Sequence, residues 1–230
     1  RDLRDRIPLA PAAETALRRR WFPQAPALKR SRYRMRKIDR IPNGSGIFRP
    51  GQDLAVAGSI GKAGAALALK TRKAEIAARF SEDFIDQIRK KTEERLNLTP
   101  EILTALGATE WETADEGGIF AALWNLSGGY GQGISLDPRR IPADQEIIEI
   151  CELFDLNPYR LRSGECVLFA ADHGVDAVRA LTDRGILAAV IGKVEPGIAR
   201  RLYGAGGVGF LERPREDEVC KLVSLKGLTE

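Results

Sequence analysis

Two glycine-bearing turns, each set where an apolar segment gives way to a helix, constrain this chain more than any other feature. The first is Gly58-Ser59-Ile60-Gly61-Lys62-Ala63-Gly64, behind the strand-like residues 53–58. The second is Asp115-Glu116-Gly117-Gly118, which opens the apolar run at 119–123. Glycine lets a backbone turn sharply or approach a neighbour closely, and the first amides of a helix are free to face an anion. Lys62 could supply a counter-charge. The spacing at 58–64 matches neither GxxxxGK[ST] nor GxGxxG, so pattern alone favours a close-packed strand–helix turn over a phosphate cradle. Asp115 and Glu116 serve equally well as helix-start charges and as neighbours of a ligand.

Around these turns strands and helices alternate. Residues 53–58 predict a strand and the alanine-rich stretch 61–79 one long helix. Ser81 caps a second helix with Phe84, Ile85 and Ile88 as its inner stripe. Thr99-Pro100 opens a short helix that Gly107 ends, and 109–113 is a strand. The next helix spans 117–126 and stops at Ser127-Gly128-Gly129, before a strand at 132–136. Residues 144–156 form an amphipathic helix with Ile147, Ile148, Cys151 and Phe154 inward and Glu146, Glu149 and Glu152 on the solvated side. An edge-to-core strand at 165–170, a helix at 175–183 and a strand at 187–194 follow. Residues 198–203 and 207–212 pair across Gly204-Ala205-Gly206, and 214–223 is a closing helix. This order gives an α+β fold, a mixed sheet flanked by helices, and not a doubly wound nucleotide fold.

Composition narrows the function classes. The apolar stretch 54–69 is broken by Ser59, Lys62 and glycines, which excludes a membrane span. Three widely spaced cysteines, Cys151, Cys166 and Cys220, fit a reducing cytoplasm and no zinc pattern. His173 is the sole histidine, which disfavours a histidine metal site or a Ser-His-Asp triad. The formal charge of +4 is uneven: residues 1–34 carry nine Arg and one Lys against three acids, a net of +7, which leaves −3 for the rest. The basic, Pro- and Arg-rich leader and linker, residues 1–46, is expected to be poorly ordered, with the domain proper at 47–230. Arg18–Arg20 beside Trp21 and Phe22 is an unspecific nucleic-acid signal, so nucleic acid is not an expected partner. A first residue Arg1 and a sole methionine at Met35 read as a truncated chain.

Pro50-Gly51-Gln52-Asp53 before the first turn, the Asp115–Gly118 segment, the acidic helix with its Asn157-Pro158-Tyr159 break, and the strand Ala189-Val190-Ile191-Gly192-Lys193-Val194 follow one another in an order that resembles the C-terminal domain of the aminoimidazole ribonucleotide synthetase (AIR synthase)-related superfamily. The wording is most similar to its hydrogenase-maturation, carbamoyl-dehydratase-like branch. The resemblance implies an ATP- and Mg²⁺-using protein whose phosphate site would be faced by Gly58, Ser59, Gly61, Lys62, Gly64, Asp115, Gly117 and Gly118. It implies no catalytic residue and no metal ligand of this chain's own. Relatives carry an acidic, metal-binding N-terminal ATP domain that has no counterpart before Ile47, so this chain alone is expected to be inactive. Its expected partners are that domain or an equivalent subunit, a second copy, or a maturation partner. The branch acts through a C-terminal cysteine, whereas this chain ends Gly227-Leu228-Thr229-Glu230, with Cys220 inside a helix. That departure argues against thiocyanate-forming chemistry. A non-catalytic nucleotide- or partner-binding module is the alternative.

Overall fold

Alternating side chains on β1 (Asp53–Ala57) decide how the layers stack. Leu54 and Val56 point into one apolar cluster, Ala55 and Ala57 into another, and all four are buried. A strand covered on both faces reads as a continuous apolar run, as this one does. The computed structural model describes residues 41–214 and 216–224; the leader expectation for residues 1–40 lies outside them.

Among the described residues seven strands form one sheet in the order β2-β4-β1-β5-β3-β6-β7. The remaining strands are β2 (Ala108–Thr113), β3 (Gly133–Leu136), β4 (Val167–Ala171), β5 (Ala188–Glu195), β6 (Arg200–Gly204) and β7 (Gly207–Phe210). Of these seven strands, β3 and β6 pair in parallel and the other neighbours pair antiparallel. The sheet is therefore mixed and the class α+β, as the element pattern predicts. The outer edge of β2 is engaged by the incoming chain. Ser45 N donates to the Thr109 carbonyl at 2.9 Å, and Asn43 Nδ2 to that of Trp111 at 2.9 Å.

The helices are α1 (Lys62–Thr71), α2 (Lys73–Arg79), α3 (Glu82–Glu93), α4 (Pro100–Ala105), α5 (Gly118–Tyr130), α6 (Gln145–Leu153), α7 (Gly174–Thr182) and α8 (Val219–Ser224). On one face of the sheet α7 and α4 bury Ala177, Leu181 and Leu103 against Phe169. On the other, α5 buries Ile119, Leu123 and Leu126 against Leu54, Val56 and Leu168. A third cluster joins α1, α2, α3, α6 and α8 through Ala65, Ile76, Ile88, Ile147, Ile150 and Leu222. Among the described residues no helix is long and apolar enough to cross a membrane.

Several elements depart from expectation for identifiable reasons. The helix expected over 61–79 is two, because Arg72 leaves helical geometry at φ −125°, ψ 35°. Its guanidinium pairs with Glu75 and lies 5.1 Å from the Phe154 ring, and the break lets Ile76 enter the third cluster. Helix α5 does not stop at Ser127-Gly128-Gly129; it continues to Tyr130, and all three small residues are buried within it. The inward stripe of α6 is Ile147, Ile150 and Cys151, with Ile148 and Phe154 half-buried. Strand β4, expected to run from edge to core, is buried along its whole length between β2 and β1. The closing helix forms only from Val219, because residues before it serve a different purpose.

Candidate functional site

The first turn leaves β1 through Gly58 and enters α1 through Gly61, both left-handed at φ +88° and +78°. Gly58 N donates to the Leu187 carbonyl at 2.7 Å and Ile60 N to that of Pro142 at 3.1 Å. The buried Ser59 hydroxyl accepts from Asp144 N at 2.7 Å, tying the turn to the start of α6. Gly61 N donates to Ser163 Oγ at 2.8 Å, and Gly64 N to the Arg162 carbonyl at 2.9 Å. A Cβ on Gly64 would lie 2.3 Å from the Leu161 side chain, so glycine there is a packing requirement. The amides of Lys62 and Ala63, both in the first turn of α1 and half-buried, have no acceptor among the described residues.

Lys62 does not stand alone. Its ammonium lies 3.0 Å from Glu94 Oε2 and 3.7 Å from Asp144 Oδ2, while Lys91 lies 3.1 and 3.6 Å from oxygens of the same two carboxylates. Burial pushes the Glu94 carboxyl up, but hydrogen bonds from Lys62 and Lys91 outweigh it and hold it below the usual range. Nearby, Arg95 and the Leu96 amide hold the Glu165 carboxyl down in the same way. Under the turn, burial pushes the Cys166 thiol up to about 12.

The second turn uses Gly117 at φ +77° and Gly118 at φ +66°. Gly118 N donates to the Asp115 carbonyl at 2.9 Å, and Phe120 N to the Tyr159 carbonyl at 3.1 Å. A Cβ on Gly118 would sit 2.7 Å from the carbonyl oxygens of Tyr159 and Leu161, and its φ is unfavourable for any other residue. Asp115 pairs with Arg162 Nε at 2.6 Å, and Glu116 is exposed.

One segment, residues 159–163, therefore touches both turns. Leu161 fills the space beside Gly61 and Gly64 with its side chain, while its carbonyl and that of Tyr159 face Gly118. Arg162 reaches both turns, by its carbonyl to Gly64 and by its guanidinium to Asp115. The two turns are neighbours across a shared strap, and most of their amides are satisfied by the chain itself.

Sequence reasoning missed the group that caps α5. Asp217, only 6% exposed, accepts from Gly117 N at 2.7 Å, Val219 N at 2.9 Å and Arg162 N at 3.3 Å. A carboxylate is well placed at the positive end of a helix. The only sequence signal was Asp217 two residues before the apolar start of α8, a local cap; its longer reach to Gly117 leaves no local mark. Cys151 and Cys166 are buried, as apolar helix and strand positions predict, and Cys220 is exposed. Among the described residues no group of three or more His, Cys, Asp or Glu could hold a metal ion. At the turns, Asp115 pairs with Arg162, Glu94 and Asp144 pair with Lys62 and Lys91, and the exposed Glu116 by itself does not make a Mg²⁺ site.

No family model matches the chain, and no curated protein sequence matches it. Solved structures do. The hydrogenase maturation protein HypE of E. coli superposes with a TM-score of 0.58 at 20% identity, over 78% of this chain and 55% of that one. HypE in complex with ATP gives 0.57 at 16% identity, over 75% and 53%. Thiamine-monophosphate kinase from Stenotrophomonas maltophilia K279a gives 0.53 at 19%, over 68% and 51%. The chain shares their fold. It spans about half the length of each.

Proposed function

We propose that this domain forms one wall of an ATP phosphate site that a second lobe completes, the lobe belonging to the same protein or to a separate subunit. The observation that carries the reading is the meeting of both glycine turns on residues 159–163. In a fold shared with a HypE solved with ATP, the start of α1, whose Lys62 and Ala63 amides have no acceptor among the described residues, and the start of α5 meet on one strap, which supports this reading. In this reading Gly58, Ser59, Gly61 and Gly64 shape the first turn, Lys62 and its amide face phosphate oxygens, and Gly117, Gly118 and Asp115 line the opposite side. Mg²⁺ would supply charge neutralisation of the polyphosphate. With no cluster among the described residues to hold it, the ion would be bound by the phosphates and the second lobe. The residues of this chain bind and orient; no group at the turns is set as nucleophile or general acid.

A second reading is a non-catalytic nucleotide- or partner-binding module. The satisfaction of Gly61, Gly64, Gly117 and Gly118 amides by the chain itself favours it. Calorimetric titration of Mg²⁺-ATP into the full chain tests the first reading, with saturable binding expected, weakened about tenfold by Lys62→Ala (about 1.4 kcal/mol), and phosphate release at background. Absence of heat at millimolar nucleotide would remove the nucleotide reading, and robust Mg²⁺-dependent turnover by the chain alone would remove the second lobe. Turnover that stays absent after a matching lobe is added supports the module.

A further inference from the structure

The glycines of the second turn cannot by themselves receive an anion. Gly117 N donates to Asp217, Gly118 N to the Asp115 carbonyl and Phe120 N to that of Tyr159. Three acids surround the same turn: Asp115 and Glu116 within it and Asp217 as its cap. A polyphosphate arriving there meets carboxylates, and like charges repel unless a cation stands between them. Arg162 is the cation that an ion pair joins to this turn.

Both backbone groups of Arg162 are anchored. Its N–H donates to Asp217 Oδ1 at 3.3 Å, and its carbonyl accepts from Gly64 N at 2.9 Å. Two residues on, a Cβ at Gly164 would lie 3.5 Å from Ala63. The strap thus runs beside the first turn of α1, where the Lys62 and Ala63 amides have no acceptor among the described residues. From there the Arg162 side chain reaches Asp115, whose Oδ1 lies 2.6 Å from Nε. A guanidinium has five N–H donors. Among the described residues Nη1 and Nη2 have no hydrogen-bond partner, and the side chain is 45% exposed.

We propose that Arg162 holds the phosphate chain of the nucleotide on the side of the second turn, its terminal nitrogens donating to phosphate oxygens while the Lys62 and Ala63 amides donate from the first. This rests on the nucleotide reading and names the polyphosphate as the part of the ligand that the domain recognises. A planar fork of donors matches phosphate oxygens, and the guanidinium keeps its charge at any physiological pH. The two backbone anchors fix where the side chain starts, which lowers the ordering cost of binding. Asp115 is then the counter-ion of Arg162 in the free protein, and phosphate competes with it for the guanidinium.

Calorimetric titration of Mg²⁺-ATP, and separately of Mg²⁺-tripolyphosphate, into the full 230-residue chain tests this role. Arg162→Gln should weaken both ligands about tenfold, and Arg162→Lys, which keeps the charge without the fork, about threefold. Asp115→Asn breaks the same ion pair but keeps the guanidinium and removes a negative charge, so it should bind at least as tightly as wild type. Arg179→Gln, the same loss of charge on α7, should bind as wild type does. The backbone anchors of residue 162 persist in every variant, so circular dichroism should match the wild type. Equal losses with Arg162→Gln and Asp115→Asn would make the pair structural and overturn the proposal. Undiminished binding by Arg162→Gln, or a loss seen with ATP and not with tripolyphosphate, would overturn it too. In those cases the wild-type chain still binds and the nucleotide reading stands; a wild type that binds neither ligand removes both.

Discussion

Removing one carboxylate, that of Asp217, strips three amides of their acceptor at once, those of Gly117, Arg162 and Val219. Losing a helix cap and leaving buried donors unpaired costs about 2 kcal/mol, so Asp217→Ala should lower the urea midpoint accordingly. Asp217→Asn, which keeps one acceptor oxygen, should lose roughly half as much. The thiols give a second test at this scale. Burial pushes Cys151 and Cys166 up to about 12, each from a value of 9.0. Between those values the unfolded chain loses protons that the folded chain keeps, so stability falls as pH rises above 9, by about 1.4 kcal/mol per pH unit per thiol. Denaturation at pH 8, 9.5 and 10.5 checks the sign. In native buffer only Cys220 should react rapidly with a thiol reagent, with Cys151 and Cys166 following at the unfolding rate.

At the scale of elements, the strap over residues 159–163 sets the tolerance of both turns. Gly64→Ala drives a Cβ to 2.3 Å from fully buried Leu161. Overpacking of that kind costs about 1–3 kcal/mol, and a Tm several degrees below wild type is expected. Where the sequence was legible, local physics was strong. Ser81 and Thr99 cap their helices through Phe84 N and Ile102 N as expected, and β1, β2 and the β6–β7 hairpin follow from apolar patterning and glycine. Where it was not, tertiary contacts overrode propensity. Arg72 breaks an alanine-rich helix to pair with Glu75 and stack on Phe154. Ser127-Gly128-Gly129, a stop signal by composition, stays helical because its small residues are buried in a crowded core. Of the candidate site, the glycine positions could be read, because close approach demands glycine. Asp217, Leu161 and Ser163 could not, since the turn glycines they touch lie between 43 and 102 residues away in the chain.

For the whole molecule, the mixed seven-stranded sheet carries helices on both faces, and the two glycine turns meet on residues 159–163. The fold is shared with proteins of about twice the matched length, which is why the account gives this domain a binding role and leaves completion of the site to a second lobe. Amide chemical-shift mapping of the ¹⁵N-labelled chain during a Mg²⁺-ATP titration tests that role most directly. The account predicts saturable shifts confined to residues 58–64, 115–118 and 159–163, led by Lys62 and Ala63; a spectrum that does not move, or shifts gathered elsewhere on the molecule, would contradict it.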